Sequence, residues 1–481
     1  MQQCMFTKNK DLLVALPEEQ RPIDYFLFLL TNDFVDTIVR ETNTYAIQVL
    51  SKNRYEKSRI TRWKPLSNDE FLTFLALLFH TGTIKCDKIQ DYWKTDYLFN
   101  IRFFSQNMSR DRFMIILRCL CFDSFELNKD DKSKNQLRDI QSVIDYFNNK
   151  MAEVYCPGKE LVLDRPMMFL KGRSELSQYM RNEQDKCDVK LYMLTESSGI
   201  ILNFQVFKGS ISKSAKEEHL RAIVLQLLKD KLDCGHSVYM NSYYTSCNLA
   251  RTLLQRSSHC IGKLCRNQKR NPKDVDQRLL MGKIKLQYCN GLMIGKWKDK
   301  DDVLYISTEY TNEMISYKNT RGQKRERPRF IYEYNKCMSE IDQEDQMNIY
   351  YPHFGKRFHW SKKVAIHVFQ LIMLNAYYLY NQYSGEKMDL YDFRLEVIHE
   401  MSSRQSESEK NCPSSSNANS KELHFLTKIP VISQKGQTKR KRCRVCSSNK
   451  KRKATIFECL QCADKPGLCV GECFRVYHLD K

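Results

Sequence analysis

The fold is decided by residues 161–210, which read LVLDRPMMFLKGRSELSQYMRNEQDKCDVKLYMLTESSGIILNFQVFKGS. The first three residues form an apolar run that is typical of a buried strand, and Asp164 follows directly at its end. Two further strand-like runs, residues 189–194 and 200–207, flank Ser197-Ser198-Gly199, where glycine permits the positive φ of a hairpin turn. The stretch therefore predicts a sheet that carries a carboxylate at its edge.

Two later segments add polar residues to this pattern. The apolar run SVYM ends at Asn241 and leads through SYYTS into a helix-like segment, residues 247–255. Further on, the helix-like segment YEYNKCMSEIDQEDQM carries Asp342 and Asp345. These segments add Asn241, Asp342 and Asp345 to Asp164 as polar positions at or near predicted element ends.

The order of these motifs resembles the transposases of piggyBac elements, whose motifs read roughly DE-M-(x)n-KGR, DN-F/Y-Y/F-TS and YN-M-GGVD-x-x-D. The resemblance covers nearly the whole chain and implies an α/β ribonuclease-H-like catalytic core. It places Asp164, Asn241 and Asp342 at the three catalytic positions and Asp345 at an additional acidic position. Lys171 and Arg173, from the KGR motif, are expected to contact DNA.

The resemblance also implies a domain order. We expect a split all-α dimerisation and DNA-binding domain, a β insertion within the catalytic core and a C-terminal cross-brace zinc domain. The boundaries are 1–155 for the N-terminal helical part, 156–265 for the first part of the core, 266–329 for the β-rich insertion, 330–349 for the second part of the core, 350–401 for the second helical part, 402–423 for a polar linker and 424–481 for the cysteine-rich zinc domain.

Position 241 departs from the family motif, because it holds asparagine where the family has aspartate. Such enzymes cut and join DNA with two Mg²⁺ ions roughly 4 Å apart, which carboxylates and phosphate oxygens hold. Asparagine keeps the shape of aspartate but removes a full negative charge, so we predict weak or absent catalysis. Two other departures from the family motifs also favour weak or absent catalysis. Arg165 follows Asp164, and Ser339-Glu340-Ile341 replace the family's Gly-Gly-Val.

Charge favours a polyanionic partner. Lys and Arg outnumber Asp and Glu by 78 to 57, a net charge of +21, which suits nucleic acid. The family resemblance implies that this partner is double-stranded DNA. Two basic runs, residues 439–442 and 450–453, are candidate nuclear import signals or phosphate contacts, or simply solvated charge. Of these residues we assign Lys439, Arg440, Lys441 and Arg442 to DNA binding. The family resemblance implies a homodimer, and the expected location is the nucleus.

Neither a membrane span nor a secretory leader is predicted. The chain has no apolar run of about 18 residues, and its first residues, MQQCMFTKNKDLL, lack the layout of a signal peptide. We therefore expect an intracellular protein with reduced thiols. Six of the 19 cysteines lie after residue 440, which indicates a metal module instead of a disulfide scaffold.

The C-terminal module has the spacing of a zinc site. Two pairs of cysteines are two residues apart, and the candidate ligands are Cys443, Cys446, Cys459, Cys462, Cys469, Cys473 and His478. Seven ligands exceed one tetrahedral site and fall one short of two. The family resemblance supplies His424 as the eighth, so we predict two Zn²⁺ ions and leave open which ligands share an ion; the alternative is free thiols.

Three functional classes remain open at this stage. The first is a piggyBac transposase-derived DNA-binding protein whose catalysis is impaired by Asn241. The second is an active cut-and-paste transposase that cuts at TTAA with Mg²⁺, with Asn241 tolerated or compensated by Asp345. The third is a zinc-dependent module, residues 424–481, that contacts chromatin, histone tails or other proteins.

Overall fold

The computed structural model divides into two compact units, residues 1–46 with 57–408 and residues 47–56 with 409–481. The residues that the structure describes are 4–52, 58–122, 137–163, 167–170, 176–177, 187–208, 215–265, 278–299, 301–318, 322, 324–339, 359–410, 426–429, 440–460, 462–470 and 472–479.

Helices predominate between residues 22 and 154, and strands predominate between residues 155 and 328 of the described chain. The helices are α1 (Pro22–Leu29), α2 (Asn32–Lys52), α3 (Asn68–Thr83), α4 (Arg102–Asn107), α5 (Arg110–Cys119), α6 (Arg138–Val154), α7 (Lys216–Leu227), α8 (Cys247–Gln255), α9 (Arg329–Ser339), α10 (Trp360–Tyr383), α11 (Leu390–Lys410), α12 (Arg444–Ser448) and α13 (Glu472–Leu479). Within the described ranges, none of these helices has both the length and the hydrophobicity that crossing a bilayer requires.

The strands are short except in the central sheet. They are β1 (Asp11–Leu12), β2 (Tyr155–Cys156), β3 (Glu160–Leu163), β4 (Met167–Leu170), β5 (Leu176–Ser177), β6 (Cys187–Glu196), β7 (Ile201–Lys208), β8 (Ser237–Met240), β9 (His259–Lys263), β10 (Ile284–Cys289), β11 (Leu292–Lys298), β12 (Asp302–Ser307), β13 (Met314–Lys318), β14 (Lys324–Pro328), β15 (Leu426–Lys428), β16 (Lys441–Arg442), β17 (Ala454–Thr455) and β18 (Phe457–Cys459).

The centre of the first unit is a mixed sheet. Along β7-β6-β3-β8-β9, the first three strands pair antiparallel, whereas β3, β8 and β9 pair parallel. Parallel neighbours need a crossover connection, which usually contains a helix. Helix α7 lies in the crossover from β3 to β8, and helix α8 connects β8 to β9. This strand order and these directions are those of a ribonuclease-H-like core, which confirms the predicted class of the central domain.

The strands predicted as an insertion continue the central sheet. Strand β12 pairs antiparallel with β9, so that β9-β12-β11-β10 extends the sheet, and only β13 and β14 form a separate hairpin. Asn290-Gly291 is a strong hairpin signal in sequence, and the turn between β10 and β11 is present, with φ of 48° at Asn290 and 81° at Gly291. The family resemblance implies a β insertion here, and three of its strands pair in one sheet with the core. The insertion boundaries stay a prediction.

Helix α10 is the central helix of the first unit. Its middle, residues 363–376, is buried on all sides. It packs against α1 and α6 on the helical side. On the other side the Asn375 amide donates to the backbone carbonyl of Ile201 at 2.8 Å and accepts from its N–H at 2.9 Å. This pair of hydrogen bonds satisfies a buried polar side chain and joins the helix to strand β7.

The last helix of this unit is longer than the composition indicated. Residues 402–423 are predicted as a linker because they are polar and rich in serine, but α11 runs on to Lys410. Met401 is fully buried and Ser402 is 7% exposed, so packing at the start of this segment sustains the helix beyond the apolar pattern. Residues 411–423 lie outside the described part of the chain.

One buried carboxylate joins the sheet to the N-terminal segment. Glu196, at the end of β6, is 1% exposed and accepts hydrogen bonds from the Lys10 ammonium at 2.9 Å, the Tyr155 hydroxyl at 2.7 Å and the backbone N–H of Gly158 at 2.6 Å. Burial acts to raise the pKa of Glu196, but the hydrogen bonds from Ser198, Tyr155, Lys10 and Gly158 together lower it below its ordinary value.

This network predicts a pH-dependent contribution to stability. The Glu196→Gln variant should lower the free energy of unfolding at pH 7 by about 1–3 kcal/mol, because it removes a charged acceptor from several donors. A lowered folded pKa stabilises the protein above the unfolded pKa of about 4.3. The difference between wild type and variant should therefore shrink as the pH falls below about 4.

Denaturant unfolding at pH 7 and at lower pH measures this difference, with Glu153→Gln as the control because that side chain is 59% exposed on α6. An equal loss of stability in both variants, or a difference that does not change with pH, contradicts the interpretation.

Candidate metal centre and strand-end site

Four cysteines of the second unit lie close enough together to hold one ion. The Sγ atoms of Cys443, Cys446, Cys469 and Cys473 all lie within 4.8 Å of one another. Cys446 Sγ is 3.6 Å from Cys473 Sγ and 3.9 Å from Cys469 Sγ. Four thiolates at about 2.3 Å from a tetrahedral Zn²⁺ are about 3.8 Å apart. The spacing of these sulfur atoms therefore fits zinc.

The thiol pKa values show why this group suits a cation. Burial acts to raise the pKa of the Cys443 thiol, but hydrogen bonds from Cys446 and Cys469 lower it to about 7. Burial and the neighbouring sulfur atoms raise the pKa of Cys469 to about 12 and that of Cys473 to about 11. The four thiols therefore do not all ionise by themselves at neutral pH, whereas a dication stabilises all four thiolates.

A second group contains three candidate ligands. Cys459, Cys462 and His478 place one ligand atom each within 4.8 Å of the others, and Cys462 Sγ is 3.3 Å from His478 Nε2. The Nδ1 atom of His478 is 2.8 Å from the carbonyl oxygen of Phe474 and donates to it in the tautomer whose unprotonated Nε2 can bind a metal. Phe474 is a residue that our sequence analysis missed, although the spacing of four residues on a helix would have indicated it.

The local fold interleaves the two groups. Cys443 and Cys446 flank the start of α12, and Cys459 ends strand β18. Helix α13 supplies Cys473 to the first group and His478 to the second. Five residues along a helix correspond to a rotation of about 140°, so the two side chains leave different faces of α13. One helix thus connects both groups, which alternate along the chain.

The predicted fourth ligand of the second group, His424, lies outside the described residues. Strand β15 begins two residues later, and Leu426 lies opposite Cys459 in the antiparallel pair β15–β18. The described strand therefore begins at the second group. The role of His424 stays a prediction.

The strand-end site lies at the parallel edge of the central sheet. In the β3–β8 pair, Leu163 is in register with Met240, and these are the last residues of the two strands. In sequence, Asp164 and Asn241 follow them directly. Asn241 is 7% exposed, whereas Asp164, Asp342 and Asp345 lie outside the described residues. Of the predicted catalytic set, the structure therefore positions Asn241.

The turn after β8 holds Asn241 in place through its own backbone. The Asn241 Oδ1 atom accepts a hydrogen bond from the N–H of Tyr243 at 3.0 Å, which is the pattern of an Asx turn. The Thr245 hydroxyl donates to the Asn241 carbonyl oxygen at 2.8 Å, and Ser246 caps α8 by accepting from the N–H of Leu249. Gly262 of β9 lies so close to Thr245 that a Cβ atom would overlap the threonine hydroxyl. An aspartate at position 241 can accept the same hydrogen bond.

Helix α9 packs across the β3, β8 and β9 strands, and its Cys337 Sγ lies 3.4 Å from Glu160 Oε2, at the first residue of β3. The association of Asp342 and Asp345 with Asn241 stays a prediction.

The predicted DNA-binding residues have different environments. Arg440 and Arg442 are exposed, whereas the Lys441 ammonium contacts the Glu458 carboxylate at 2.5 Å and the Lys465 carbonyl oxygen at 2.9 Å. Lys441 therefore has a structural role within the second unit. Lys171, Arg173 and Lys439 lie outside the described residues.

Comparison with known proteins identifies the family. A family model described as Transposase IS4 matches residues 21–377, and a model described as DDE_Tnp_1-like zinc finger matches residues 419–479. The human PiggyBac transposable element-derived protein 3 is 23% identical over 465 residues, which cover 92% of this chain and 74% of that protein. The chain belongs to the piggyBac-type family of DDE transposases.

Other similarities extend over nearly the whole chain. The human Chimeric ERCC6-PGBD3 protein is also 23% identical over 465 residues, which are 92% of this chain and 41% of that protein. A cryo-EM structure of the piggyBac transposase synaptic complex with hairpin DNA matches with a TM-score of 0.68 and 19% identity, covering 96% of this chain and 98% of that chain. The piggyBac fold and the C-terminal zinc-finger family are therefore shared.

The first cysteine group makes a testable prediction. The Cys446→Ser variant should bind less zinc per chain than wild type, because a serine hydroxyl does not replace a thiolate ligand. Its second unit should also unfold at a lower temperature, because the free energy of binding structural zinc is largely folding free energy. Elemental analysis after dialysis and calorimetry measure the two effects. The control is Cys289→Ser, which changes an exposed cysteine of β10; unchanged zinc content in Cys446→Ser contradicts the assignment.

Proposed function

We propose that this chain is a piggyBac transposase-derived protein that binds duplex DNA and whose catalytic site is impaired at Asn241. The observation that carries the proposal is the parallel register of β3 and β8, which ends both strands at the same edge of the sheet. Asp164 and Asn241 follow these strand ends in sequence. A carboxylate position of the family's site therefore holds a neutral amide.

The proposed defect is electrostatic. Mg²⁺ bound at such a site supplies Lewis-acid stabilisation of the transferring phosphoryl group. It is held mainly by carboxylates and substrate phosphates. The Asn241 side chain offers only a neutral oxygen, and the N–H of Tyr243 already donates to this atom. The chain thus keeps the shape of the turn while it lacks one of the charges that offset two dications.

Restoring the carboxylate tests this proposal. We expect wild type to show no nicking or hairpin formation with Mg²⁺ or Mn²⁺ on a duplex that carries candidate terminal repeats beside TTAA. Asn241→Asp should raise cutting by at least about 100-fold, since one preorganised charge contributes roughly 10²–10³ in rate. The Asn241→Asp/Asp164→Ala double variant is the control and should be inactive.

Cutting by wild type that Asp164→Ala abolishes would show an active transposase, in which Asn241 is tolerated or Asp345 compensates. Inactivity of both wild type and Asn241→Asp would show that the missing carboxylate is not the sole defect.

DNA binding is supported by charge and by family membership. The net charge is +21, and the matched piggyBac structure is described as a synaptic complex with hairpin DNA. Arg440 and Arg442 are exposed, so they are available to phosphates.

We extend the proposal to a homodimer, a nuclear location and contact of the second unit with chromatin. Sedimentation of the full chain and the distribution of a fluorescent fusion in cells test the first two, and nucleosome binding tests the third.

We also propose the finer domain architecture. Residues 1–155 and 350–401 form one helical domain, which is supported by the packing of α10 against α1 and α6. Residues 156–265 and 330–349 form the catalytic core, and residues 266–329 form an insertion whose first three strands extend the core sheet. The cysteine-rich domain, residues 424–481, is a cross-brace module, as the alternation of its two ligand groups along the chain supports.

Two zinc ions and the ligand His424 complete this proposal. Wild type should bind about two zinc ions per chain, as two groups of up to four ligands require. The His424→Ala variant should lose zinc more readily than wild type when a chelator is added, and His399→Ala, an exposed histidine of α11, should not. Equal loss in the two variants would exclude His424 as a ligand.

A further inference from the structure

A cavity of about 860 Å³ lies in the first unit, and none of its lining residues belongs to the two sites described above. Its walls come from the 3-10 turns at Arg59–Arg62 and Ile89–Trp93, the end of α4 and the start of α5. Six cationic side chains and two carboxylates line it, and the cationic ones are Arg59, Arg62, Lys64, Lys94, Arg110 and Arg112. No residue of this cavity belongs to the motifs that the sequence analysis singled out.

One of these cations has a structural role. The Arg112 guanidinium donates to the Glu70 carboxylate at 2.6 and 2.5 Å and to the Lys64 carbonyl oxygen at 2.9 Å. It also lies 4.8 Å from the centre of the Trp63 ring. Arg112 therefore braces α5 against α3 and the preceding segment, and it neutralises one of the two carboxylates in the wall.

The remaining charge is strongly positive. Asp111 is the second carboxylate, and both Arg59 at 3.3 Å and Arg110 at 3.6 Å contact it. Lys94 pairs with Asp91 at 2.7 Å, outside the cavity wall. Arg62 and Lys64 are exposed. Subtracting Asp111 and Asp91 from five cations leaves an excess of about three positive charges around one concavity, where low-dielectric walls focus the field.

Apolar residues also line the cavity. Met108 is 6% exposed, and its carbonyl oxygen accepts a hydrogen bond from the Trp93 indole N–H at 2.7 Å. Trp93 also packs against the rings of Phe104 and Phe113. These contacts fix the indole ring in the lining that it shares with the cationic side chains. Such a group of cations suits a chain of anions better than a single one, since a lone phosphate carries only about −1.5 to −2 charges.

We propose that this cavity binds two to three consecutive phosphodiester groups of a DNA strand. The inference rests on the proposed DNA-binding function and assigns part of that binding to Arg59, Arg62, Lys64, Lys94 and Arg110. Phosphate contacts position a protein on DNA without reading the bases. The contribution of the cavity is therefore independent of DNA sequence.

The salt dependence of binding tests the assignment. The experiment compares the full chain with Arg62→Ala/Lys64→Ala on duplexes of two unrelated sequences, across a range of salt concentrations. The slope of log K against log salt is negative, and each lost phosphate contact reduces its magnitude by about 0.9. We therefore expect the slope to become less negative by about 2 units for both duplexes, with unchanged thermal unfolding, since both side chains are exposed.

The matched control is Lys229→Ala/Lys387→Ala, which removes the same charge from exposed positions outside the cavity and should keep the wild-type slope. Wild-type binding with equal slopes in both double variants overturns the cavity assignment and leaves DNA binding in place. Absence of duplex binding by wild type overturns the DNA-binding function and the assignment together.

A small polyphosphate is the competing ligand. If pyrophosphate binds to wild type and Arg62→Ala/Lys64→Ala removes that binding while the duplex slope is unchanged, the cavity holds a small anion and the assignment to DNA is wrong. Lost affinity with an unchanged slope also overturns it, because a lost phosphate contact must change the number of counterions released.

Discussion

The parallel pairing of β3 with β8 is the constraint on which the first unit depends. Parallel neighbours need a crossover, and the chain supplies it with β6, β7 and α7 between the two strands. The same pairing brings two strand ends that are 77 positions apart in sequence, Leu163 and Met240, to one edge of the sheet. The Asx turn at Asn241 begins directly after this pair. Its hydrogen bond needs only a side-chain oxygen at position 241. The turn can therefore form with either an amide or a carboxylate at that position.

Buried polar groups join this core to the rest of the first unit. Asn375 connects α10 to β7, and Glu196 connects β6 to the segment that contains Lys10. Each of these side chains has partners for its polar atoms, so burial does not leave an unsatisfied group. Such contacts act between elements that lie far apart in the sequence. They favour one arrangement of helices around the sheet. Apolar packing alone would discriminate less between this arrangement and others.

The second unit needs another source of stability, because it is too small to be stabilised by an apolar core alone. Among the residues that the structure describes there, one cluster of buried apolar residues has three members, and two of them are the ligand candidates Cys459 and Cys462. Helix α13 carries one ligand of each group on different faces, so metal binding at either group orients the same helix. The raised pKa values of Cys469 and Cys473 are a cost of bringing thiols together, which a bound dication offsets.

The sequence by itself determined the local features of this protein. Strand and hairpin patterns predicted β6 and β7, and cysteine spacing predicted the metal module. The order of motifs indicated the piggyBac family, because a motif order survives where overall identity is low. These features depend on residues that are near each other in the chain, so periodicity, turn chemistry and spacing reveal them.

Only the tertiary structure decided how these pieces combine. It joined β10–β12 to the central sheet, buried α10 on all sides, extended α11 to Lys410 and sorted seven candidate metal ligands into two alternating groups. It also collected the cavity cations from three separate segments. Strand pairing, burial and ligand grouping depend on distances between residues that are remote in sequence, and a one-dimensional pattern carries no such distances.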